Sequence, residues 1–329
     1  MTTRLETPEF ALIRRYFSQL TDTRPDVLLG IGDDAALTRP PGNCQLATSV
    51  DTLVSGVHFL ETVSPESLGH KALAVNLSDL AAMGAEPAWV TLALTLPRID
   101  DQWLEDFARG FSRLAQAHAV QLIGGDTTRG PLSMTVQVQG FLPDGVALRR
   151  DTARVGDDIY VTGTLGDAAL GLYYLQHGLT DAPETADLVK RLERPQPRVA
   201  TGLAIRELAH SAIDLSDGLA ADLGHILDAS GVGARVALAH LPCCVAVSEA
   251  MRSRGDWSLA VSGGDDYELC LTAPVDARPA LAALSRSLDL PITRIGQVEA
   301  EPGLRWYDDA GQPWHPEHGG YDHFTEHDD

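Results

Sequence analysis

The sequence predicts an α/β protein with α+β layering that is divided into two domains. Stretches with strand character alternate with stretches of helical periodicity, but several strands follow one another in pairs, which favours layered sheets over one doubly wound sheet. The length of 329 residues corresponds to about two domains. A Pro143-Asp144-Gly145 turn and the polar connection after it indicate the boundary. We therefore expect domains at residues 1–148 and 149–329.

The first domain is expected to begin with a helix, because Thr7 is a capping residue and Pro8 suits the first turn. The apolar residues at helical spacing that we expect to be buried are Phe10, Ile13, Phe17 and Leu20. The strands expected in this domain are residues 27–29, as a short buried strand, 45–50, 89–96, 120–123 and 132–141. An amphipathic helix is expected at residues 100–117.

A further helix, residues 65–84, is apolar on nearly every face, which predicts that it is buried. Asn76 and Asp79 nevertheless lie three residues apart on one of its faces. A buried carboxylate without a partner is costly unless its pKa shifts until the group is neutral. We therefore predict that Asp79 binds a metal ion, with an internal hydrogen bond as the alternative.

The second domain continues the alternation of strands and helices. Its expected strands are residues 159–161, 235–238, 259–261, 268–272 and 292–299. Its expected helices are residues 167–178, a segment after Arg198, 217–231 and 276–288. The glycine loop at residues 163–167 opens a helix and suits phosphate binding through backbone N–H groups. Tight packing of strand against helix explains these glycines equally well.

Aspartates follow apolar runs and small residues at five places in the chain. The five segments are Gly30-Ile31-Gly32-Asp33-Asp34, Ser49-Val50-Asp51-Thr52, Leu122-Ile123-Gly124-Gly125-Asp126-Thr127, Ile213-Asp214-Leu215-Ser216-Asp217-Gly218 and Val261-Ser262-Gly263-Gly264-Asp265-Asp266. Five such strand ends suggest carboxylates that the fold gathers in space, and clustered carboxylates need cations. Aspartate oxygens select Mg²⁺, Mn²⁺ or Ca²⁺ over zinc or copper, and carboxylates from distant segments suit Mg²⁺ shared with substrate phosphates.

The overall charge narrows the range of partners. A net charge of -21 and a pI near 4.7 disfavour nucleic acid and anionic membrane surfaces. An acidic protein also repels phosphate ligands, and bridging metal ions would remove that repulsion; a solubilising surface is the alternative explanation of the charge. The sequence lacks a signal peptide and any apolar stretch near the ~20 residues of a membrane span, so we expect a cytoplasmic protein.

The sequence disfavours disulfides and zinc sites, and it lacks the common nucleotide-binding motifs. The four cysteines lack C-x-x-C spacing, which weighs against a disulfide framework or a zinc site. The sequence contains neither a Walker A motif nor the segments typical of protein kinases. A nucleotide would therefore have to be held by other means.

Seven segments together resemble the thiamine-monophosphate kinases, a family of ATP-binding enzymes related to aminoimidazole ribonucleotide synthetase. They are residues 30–37, Asp51-Thr52-Leu53-Val54 with His58-Phe59, residues 71–84, Gly124-Gly125-Asp126-Thr127-Thr128, residues 213–218, residues 262–269 and Gly320-Tyr321-Asp322-His323-Phe324. The resemblance covers essentially the whole length. Residues 71–84 and the segment around Tyr321 are more specific to this family than the acidic and glycine-rich segments.

This resemblance implies a two-domain fold of the aminoimidazole ribonucleotide synthetase type. Its N-terminal domain, a mixed sheet with helices, would bind ATP and metal, and its C-terminal α/β domain would complete the active site. The implied activity is phosphorylation of thiamine monophosphate to thiamine diphosphate by direct in-line transfer from ATP, assisted by several Mg²⁺ ions. A homodimer is implied as well.

The resemblance also assigns site residues. The implied metal ligands are Asp34, Ser49, Val50, Asp51, Asp79, Asp126, Asp214 and Asp217. The implied ATP contacts are Gly125, Asp126, Arg150 and Ser216, and the implied substrate contacts are His58, Asp265 and Tyr321. Val50 stands where a threonine is common, and its backbone oxygen could serve instead; Asp265 stands where a glutamate is common. None of these residues is implied as a general base.

The chemistry of the residues agrees with that activity. A phosphate acceptor is already an oxyanion at pH 7, so the barrier is repulsion between anions plus alignment, which Mg²⁺ ions reduce. The thiazolium of thiamine is a permanent cation, which an acidic pocket with Tyr321 suits through a ring-face attraction of ~1 kcal/mol.

Alternatives stay open for the function and for single residues. A sister activity, such as aminoimidazole ribonucleotide synthetase or selenophosphate synthetase, is one; non-catalytic binding of divalent cations is another. The alternatives for single residues are a solvent-facing loop position for His58, packing of the C-terminus by Tyr321, an ion pair of Arg150 with Asp151, and capping of the next turn by Asp33.

Overall fold

Two units, each built around its own β-sheet, make up the part of the chain that the computed structural model describes, residues 7–179, 181, 183–308 and 310–321. One unit is the chain up to Leu80 together with Ala85–Gly145, and the other is Ala81–Gly84 together with the chain from Val146. Asp322, His323 and Phe324 of the C-terminal segment lie outside the described residues. The functional roles expected for residues 1–148 and 149–329 stay predictions.

The first unit contains three helices and six strands in its described part. The helices are α1 (Pro8–Leu12), which continues as a π-helical turn (Ile13–Phe17), α2 (Pro65–Ala82), whose last two residues belong to the second unit, and α3 (Asp101–Ala117). The strands are β1 (Val27–Leu29), β2 (Leu37–Thr38), β3 (Cys44–Val54), β4 (Glu86–Leu96), β5 (Gln121–Arg129) and β6 (Ser133–Pro143).

The main sheet of this unit is mixed, as the resemblance implied. Its strand order is β3-β6-β4-β5, with β4 parallel to β5 and the other pairs antiparallel. Met134, Val136 and Val138 of β6 are each 1% exposed while the residues between them are half-buried, which is the alternation expected from the sequence. One face of β6 therefore contributes to the core.

Helices α2 and α3 approach each other at two glycines. A Cβ atom built on Gly69 would lie 2.1 Å from the carbonyl oxygen of Phe107, and one on Gly110 would lie 1.9 Å from that of Glu66. The N-terminus of α3 is fixed by Asp100, which accepts the N–H of Trp103 at 3.1 Å. The expected burial of α2 is confirmed at most of its residues, including Leu68, Leu73, Leu77 and Leu80 at 2% exposure or less.

The second unit contains seven helices and seven strands in its described part. The helices are α4 (Asp167–Gln176), α5 (Thr185–Glu193), α6 (Val199–Ile205), α7 (Leu219–Ser230), α8 (Val245–Arg254), α9 (Ser258–Val261) and α10 (Arg278–Ser287). The strands are β7 (Asp158–Thr162), β8 (Ser211–Asp214), β9 (Gly233–Ala237), β10 (Leu269–Ala273), β11 (Ile292–Glu299), β12 (Gly303–Tyr307) and β13 (Pro313–Trp314).

These seven strands form one sheet in the order β13-β12-β9-β11-β7-β10-β8. In this sheet, as far as the structure describes it, only the β12–β9 pair is parallel. One buried cluster joins Ile159 and Val161 of β7 to Leu223 and Ile226 of α7, so α7 packs on this sheet. Because β8 ends at Asp214 and α7 begins at Leu219, the residues between them form a loop at one end of β8.

The burial expected for β1 and for Phe10, both near the N-terminus, is wrong. β1 exists, but Leu28 and Leu29 are 55% and 37% exposed, because β1 pairs only with the two-residue β2 in a separate small sheet. Phe10 is 61% exposed although its helix forms, whereas the expected burial of Phe17 is confirmed and Leu12 is buried in addition. A π-helical turn follows α1, so the spacing of residues that share a face becomes wider than the assumed α-helical spacing.

Two expectations about strands are also wrong. Residues 259–261 form helix α9, because the N–H of Val261 bonds to the carbonyl of Trp257 and Asp256 accepts the N–H of Ser258. Asp51 and Asp126 lie inside β3 and β5 and not at strand ends. The ladders extend past both aspartates, so pairing with the neighbouring strand decides where these strands stop.

Within the described residues, none of the helices combines the length and the apolar character that crossing a membrane requires.

Candidate active site

Strand β3 and helix α2 bring two of the predicted metal ligands into direct contact. Ser49 donates its hydroxyl hydrogen to Oδ2 of Asp79 at 2.6 Å. Asp79 is half-buried and not fully buried as expected, since it lies near the end of α2. The internal hydrogen bond that was the alternative for Asp79 is therefore present, and metal binding by Asp79 stays a prediction.

Asn76 fixes the neighbouring residue of β3. Its Oδ1 accepts the backbone N–H of Asp51 at 3.0 Å, and its Nδ2 donates to the carbonyl of Ala72 at 3.0 Å. Asn76 is 1% exposed, so both ends of its amide are satisfied inside the unit. The pair Asn76 and Asp79, three residues apart on α2, thus holds the segment of β3 that carries Ser49 and Asp51.

Val50 lies on the other face of the same strand. Its side chain is 55% exposed, whereas its neighbours Ser49 and Asp51 are half-buried. Successive side chains of a strand point to opposite faces, so the valine in place of threonine removes no side-chain oxygen from the face of Ser49 and Asp51. The backbone oxygen is the part of Val50 that stays a predicted ligand.

A cavity of about 640 Å³ lies elsewhere in the first unit and includes Asp34, Gly125 and Asp126 among its lining residues. One wall is the loop at residues 30–36, and another is the β5 segment at residues 122–127. Phe10, Ile13 and Phe17 provide an apolar side. The structure therefore brings together one predicted metal ligand from the first motif and both ATP-contacting residues of the third.

Asp33 has the role that was its alternative. Its Oδ1 accepts the backbone N–H of Asp34 at 2.8 Å, so it holds the turn of the loop that lines the cavity. Asp34, the neighbouring predicted ligand, is exposed.

Gly125 has a structural reason to be glycine in addition to the predicted ATP contact. Its φ is 154°, and a Cβ atom there would lie 1.9 Å from the carbonyl oxygen of Leu92 on β4. The neighbouring Gly124 has room, because its Cβ would meet only the Thr91 methyl at 4.0 Å. The close approach of β5 to β4 thus depends on Gly125 and not on Gly124.

The second unit gathers the predicted residues of the two later motifs. Asp214, the last residue of β8, is 5% exposed. In the loop after it, the carbonyl of Ser216 accepts the N–H of Asp265 at 2.9 Å, and the carbonyl of Asp217 accepts the N–H of Tyr321 at 3.1 Å. Tyr321 is 42% exposed, and both its substrate contact and its alternative of packing the C-terminus stay predictions.

Sequence reasoning missed Asp222, which shapes this loop. Its Oδ2 accepts the N–H groups of Asp217 and Gly218, each at 3.1 Å. Burial, followed by the charge of Asp217, raises the pKa of Asp222 to about 7. The sequence did contain a signal for this role: Asp222 lies in the first turn of the helix that Gly218 opens, where a carboxylate suits the free backbone N–H groups.

The structure changes the alternative for Arg150, and it gives His58, half-buried in the turn after β3, a defined hydrogen bond. Asp151 pairs with Arg149, with distances of 2.8 and 2.5 Å, so the ion pair assigned to Arg150 as an alternative is wrong in its partner. Arg150 opens a short 3₁₀ turn and lowers the pKa of Asp222 by its charge. Nδ1 of His58 accepts the N–H of Val54 at 3.1 Å, which places the hydrogen of a neutral ring on Nε2.

The glycine loop at residues 163–167 is explained by packing. A Cβ on Gly163 would lie 2.1 Å from Oε1 of Glu268, and one on Gly166 would lie 2.7 Å from the carbonyl of Leu259. The N–H of Gly166 donates to Oδ2 of Asp266 at 2.8 Å, so a carboxylate of the protein takes the position that phosphate would need. Burial raises the pKa of the Asp266 carboxyl well above its ordinary value.

The four cysteines are free thiols. Burial raises the pKa of Cys243 to about 12 and that of Cys244 to about 11. The same cause raises the pKa of Cys270. Since the thiolate is the nucleophilic form, these three thiols are poor nucleophiles at neutral pH.

The donor atoms at the predicted metal ligands are oxygens of Asp and Ser, which fit Mg²⁺. Within the described residues, no group of three or more His, Cys, Asp or Glu side chains is arranged to hold a metal ion.

Comparison with known proteins gives consistent relatives. The family described as AIR synthase related protein matches with its N-terminal domain at residues 32–142 and with its C-terminal domain at residues 154–309. The thiamine-monophosphate kinase of Escherichia coli K12 is 54% identical over 320 residues, covering 96% of this chain and 98% of the relative.

Two solved structures are similar over most of their length. The crystal structure of thiamine-monophosphate kinase from Stenotrophomonas maltophilia K279a has a TM-score of 0.84 and 50% identity, covering 92% of this chain and 96% of that chain. AaThiL complexed with AMPPCP and TMP has a TM-score of 0.77 and 32% identity, covering 89% and 92%.

Proposed function

Because this chain belongs to the family of AIR synthase related proteins, and within it to the thiamine-monophosphate kinases, we propose that it transfers the γ-phosphoryl group of ATP to thiamine monophosphate. The product is thiamine diphosphate. The observation that carries this proposal is the similarity to thiamine-monophosphate kinases over nearly the whole chain, which includes both units. A relative with bound AMPPCP and TMP supports both substrates.

The task of the protein is to align two anions and to reduce their repulsion. The acceptor is a phosphate oxygen that is already charged at neutral pH, so a general base is unnecessary. Bound Mg²⁺ would supply neutralisation of the phosphate oxygens during in-line transfer. The residues that would hold these ions are the predicted ligands on the loop at residues 30–36, β3, α2 and β5 in the first unit, and at the end of β8 and in the loop after it in the second.

Contacts within each unit support these assignments. Ser49 and Asp79 are in hydrogen-bond contact, and Asn76 holds the backbone of Asp51. The carbonyl of Asp217 accepts the backbone N–H of Tyr321, and the carbonyl of Ser216 accepts that of Asp265. Because Mg²⁺ usually keeps waters and shares substrate phosphates, two or three protein oxygens for each ion are sufficient. His58, with its hydrogen on Nε2, is suited to donate to the phosphate of the acceptor.

A substrate panel tests the proposal. We expect ADP release above background only when thiamine monophosphate and Mg²⁺ are both present, with thiamine diphosphate formed in equal amount. ADP release with an aminoimidazole ribonucleotide precursor or with selenide in place of thiamine monophosphate would instead identify a sister activity. Binding of Mg²⁺ in the absence of ATP, without turnover of any acceptor, would identify a cation-binding protein.

We place the adenine of ATP in the cavity of the first unit. Its volume of about 640 Å³ lies in the range of small-molecule sites, and acidic residues on its wall would reach the phosphates through Mg²⁺. Phe10, Ile13 and Phe17 provide the apolar surface that a purine ring needs. Adenine bound in this cavity would cover Phe10, which is 61% exposed.

Phe10→Ala is therefore expected to raise the KM for ATP about fivefold, which corresponds to the ~1 kcal/mol of one aromatic contact. The KM for thiamine monophosphate is expected to stay within about twofold, because Phe10 would touch only the nucleotide. Steady-state kinetics with each substrate varied in turn measures both values. Ile99→Ala is the matched control, since Ile99 is 55% exposed and lies outside the cavity; equal effects of the two substitutions would contradict the placement.

A homodimer and a cytoplasmic location stay predictions from the sequence. The outer face of β3 supports the homodimer, because Leu46 and Val50 are 46% and 55% exposed at the edge of the mixed sheet. Light scattering coupled to size-exclusion chromatography distinguishes a mass of about twice the chain's 35.2 kDa from the monomer mass.

A further inference from the structure

The loop that carries Asp265 is held in an unfavourable backbone conformation. It runs from α9 to β10, and two of its residues that are not glycine, Asp265 and Tyr267, have φ values of 69° and 49°. Side chains disfavour this left-handed region, so the surrounding contacts must hold the loop in place. Such backbone strain is common where a side chain is presented to a ligand.

Hydrogen bonds to neighbouring segments hold this loop. The N–H of Asp265 donates to the carbonyl of Ser216 at 2.9 Å, and the N–H of Tyr267 donates to that of Leu215 at 2.8 Å. Between these two residues, Oδ2 of Asp266 accepts the N–H of Gly166 at 2.8 Å. The first two bonds are between backbone atoms, whereas the third depends on a side chain and can be removed by substitution.

Oδ2 of Asp266 is an acceptor at the N-terminal end of a helix. Gly166 precedes the first residue of α4, a helix of ten residues whose N-terminus attracts negative charge. The loop also packs closely at its glycines, since a Cβ on Gly264 would lie 2.5 Å from the carbonyl of Ser216. A loop packed this closely transmits a small displacement of Asp266 to its neighbours.

We infer that Asp266 is a positioning residue, which anchors the loop at residues 263–267 to the N-terminus of α4 and so holds Asp265 in place to contact thiamine monophosphate. This inference rests on the proposed function and on the predicted substrate contact of Asp265. Asp266 acts through its neighbour, since its carboxyl group bonds to backbone groups of Gly166 and Ala168 at the start of α4. Asp265 is half-buried and belongs to the loop that the anchor holds.

The test is the steady-state kinetics of full-length variants with thiamine monophosphate and ATP varied in turn. Asp266→Ala is expected to raise the KM for thiamine monophosphate about tenfold and to change the KM for ATP less than about twofold. Asp266→Asn retains an oxygen acceptor for the N–H of Gly166, so a KM for thiamine monophosphate within about threefold of wild type is expected. A substitution that only destabilises the fold would lower the active fraction without separating the two KM values.

A double-mutant cycle with Asp265→Ala provides a second measurement. If Asp266 acts through Asp265, the double variant is expected to have the same KM for thiamine monophosphate as Asp265→Ala alone, within about twofold. Effects of the two substitutions that multiply would overturn the inference, as would an unchanged KM in Asp266→Ala. If Asp266→Ala does not fold, Asp266→Glu replaces it, because it keeps the carboxyl group but displaces the acceptor oxygen, and the same selective rise in KM is expected.

The outcomes separate this inference from the proposed function. A wild-type chain without turnover of thiamine monophosphate would overturn both. A wild-type chain with normal turnover, together with an Asp266→Ala variant that binds thiamine monophosphate normally, would overturn only the role of Asp266.

Discussion

Asp79→Asn is expected to lower kcat about 100-fold or more, a loss of ~2.7 kcal/mol in transition-state stabilisation, while the chain stays folded. The asparagine is nearly isosteric and keeps an oxygen that can accept the Ser49 hydroxyl, so the contact between α2 and β3 survives. What it loses is the negative charge that would hold Mg²⁺. The measurement is turnover at several Mg²⁺ concentrations, with thermal unfolding as the check on folding.

The Mg²⁺ dependence separates the two explanations of Asp79. If Asp79 is a ligand, part of the lost activity is expected to return at higher Mg²⁺ concentration. If its role is limited to the hydrogen bond, Ser49→Ala would lower stability, whereas Asp79→Asn, which keeps an acceptor oxygen, would have nearly wild-type stability and a wild-type Mg²⁺ dependence. Asp144→Asn is the matched control, because it removes the same charge from the exposed turn after β6. Normal turnover in Asp79→Asn would contradict the metal assignment.

Periodicity and turn residues were sufficient to predict much of the fold. The long apolar run predicted α2, the spacing of apolar residues predicted α3, and the alternation in residues 132–141 predicted β6, because each signal is local and strong. Burial was harder to predict. Leu28 and Leu29 have the composition of a buried strand, but β1 pairs only with the short β2, and pairing partners are a property of the whole fold.

The residues of the candidate site were likewise predictable only in part. Acids next to glycines were visible in the sequence, and the structure brings several of them together within each unit. Asp222 and Asp266 were not recognised, because their importance depends on which backbone N–H groups the fold brings to them. Gly166 and Asp266 are 100 positions apart in the chain, so no local sequence pattern predicts a hydrogen bond between them.

Gly125→Ala is expected to destabilise the first unit by about 3 kcal/mol, in the range of substitutions that force a backbone shift or strain a residue with positive φ. The new Cβ would lie 1.9 Å from the carbonyl of Leu92, so β5 has to move away from β4 along their parallel ladder. Thermal or denaturant unfolding of the full chain measures the effect. Gly124→Ala is the matched control, because its Cβ would meet only the Thr91 methyl at 4.0 Å, and a change below about 1 kcal/mol is expected.

The same pair of variants separates the two roles of Gly125. A structural role predicts that Gly125→Ala lowers stability whether or not ATP is present. A role limited to contacting ATP predicts a variant with wild-type stability and a raised KM for ATP, and that result would contradict the steric argument. Since Gly125 and Asp126 both line the cavity, displacing β5 would also displace a predicted Mg²⁺ ligand. We therefore expect Gly125→Ala to lose both stability and ATP affinity, and Gly124→Ala to keep its stability.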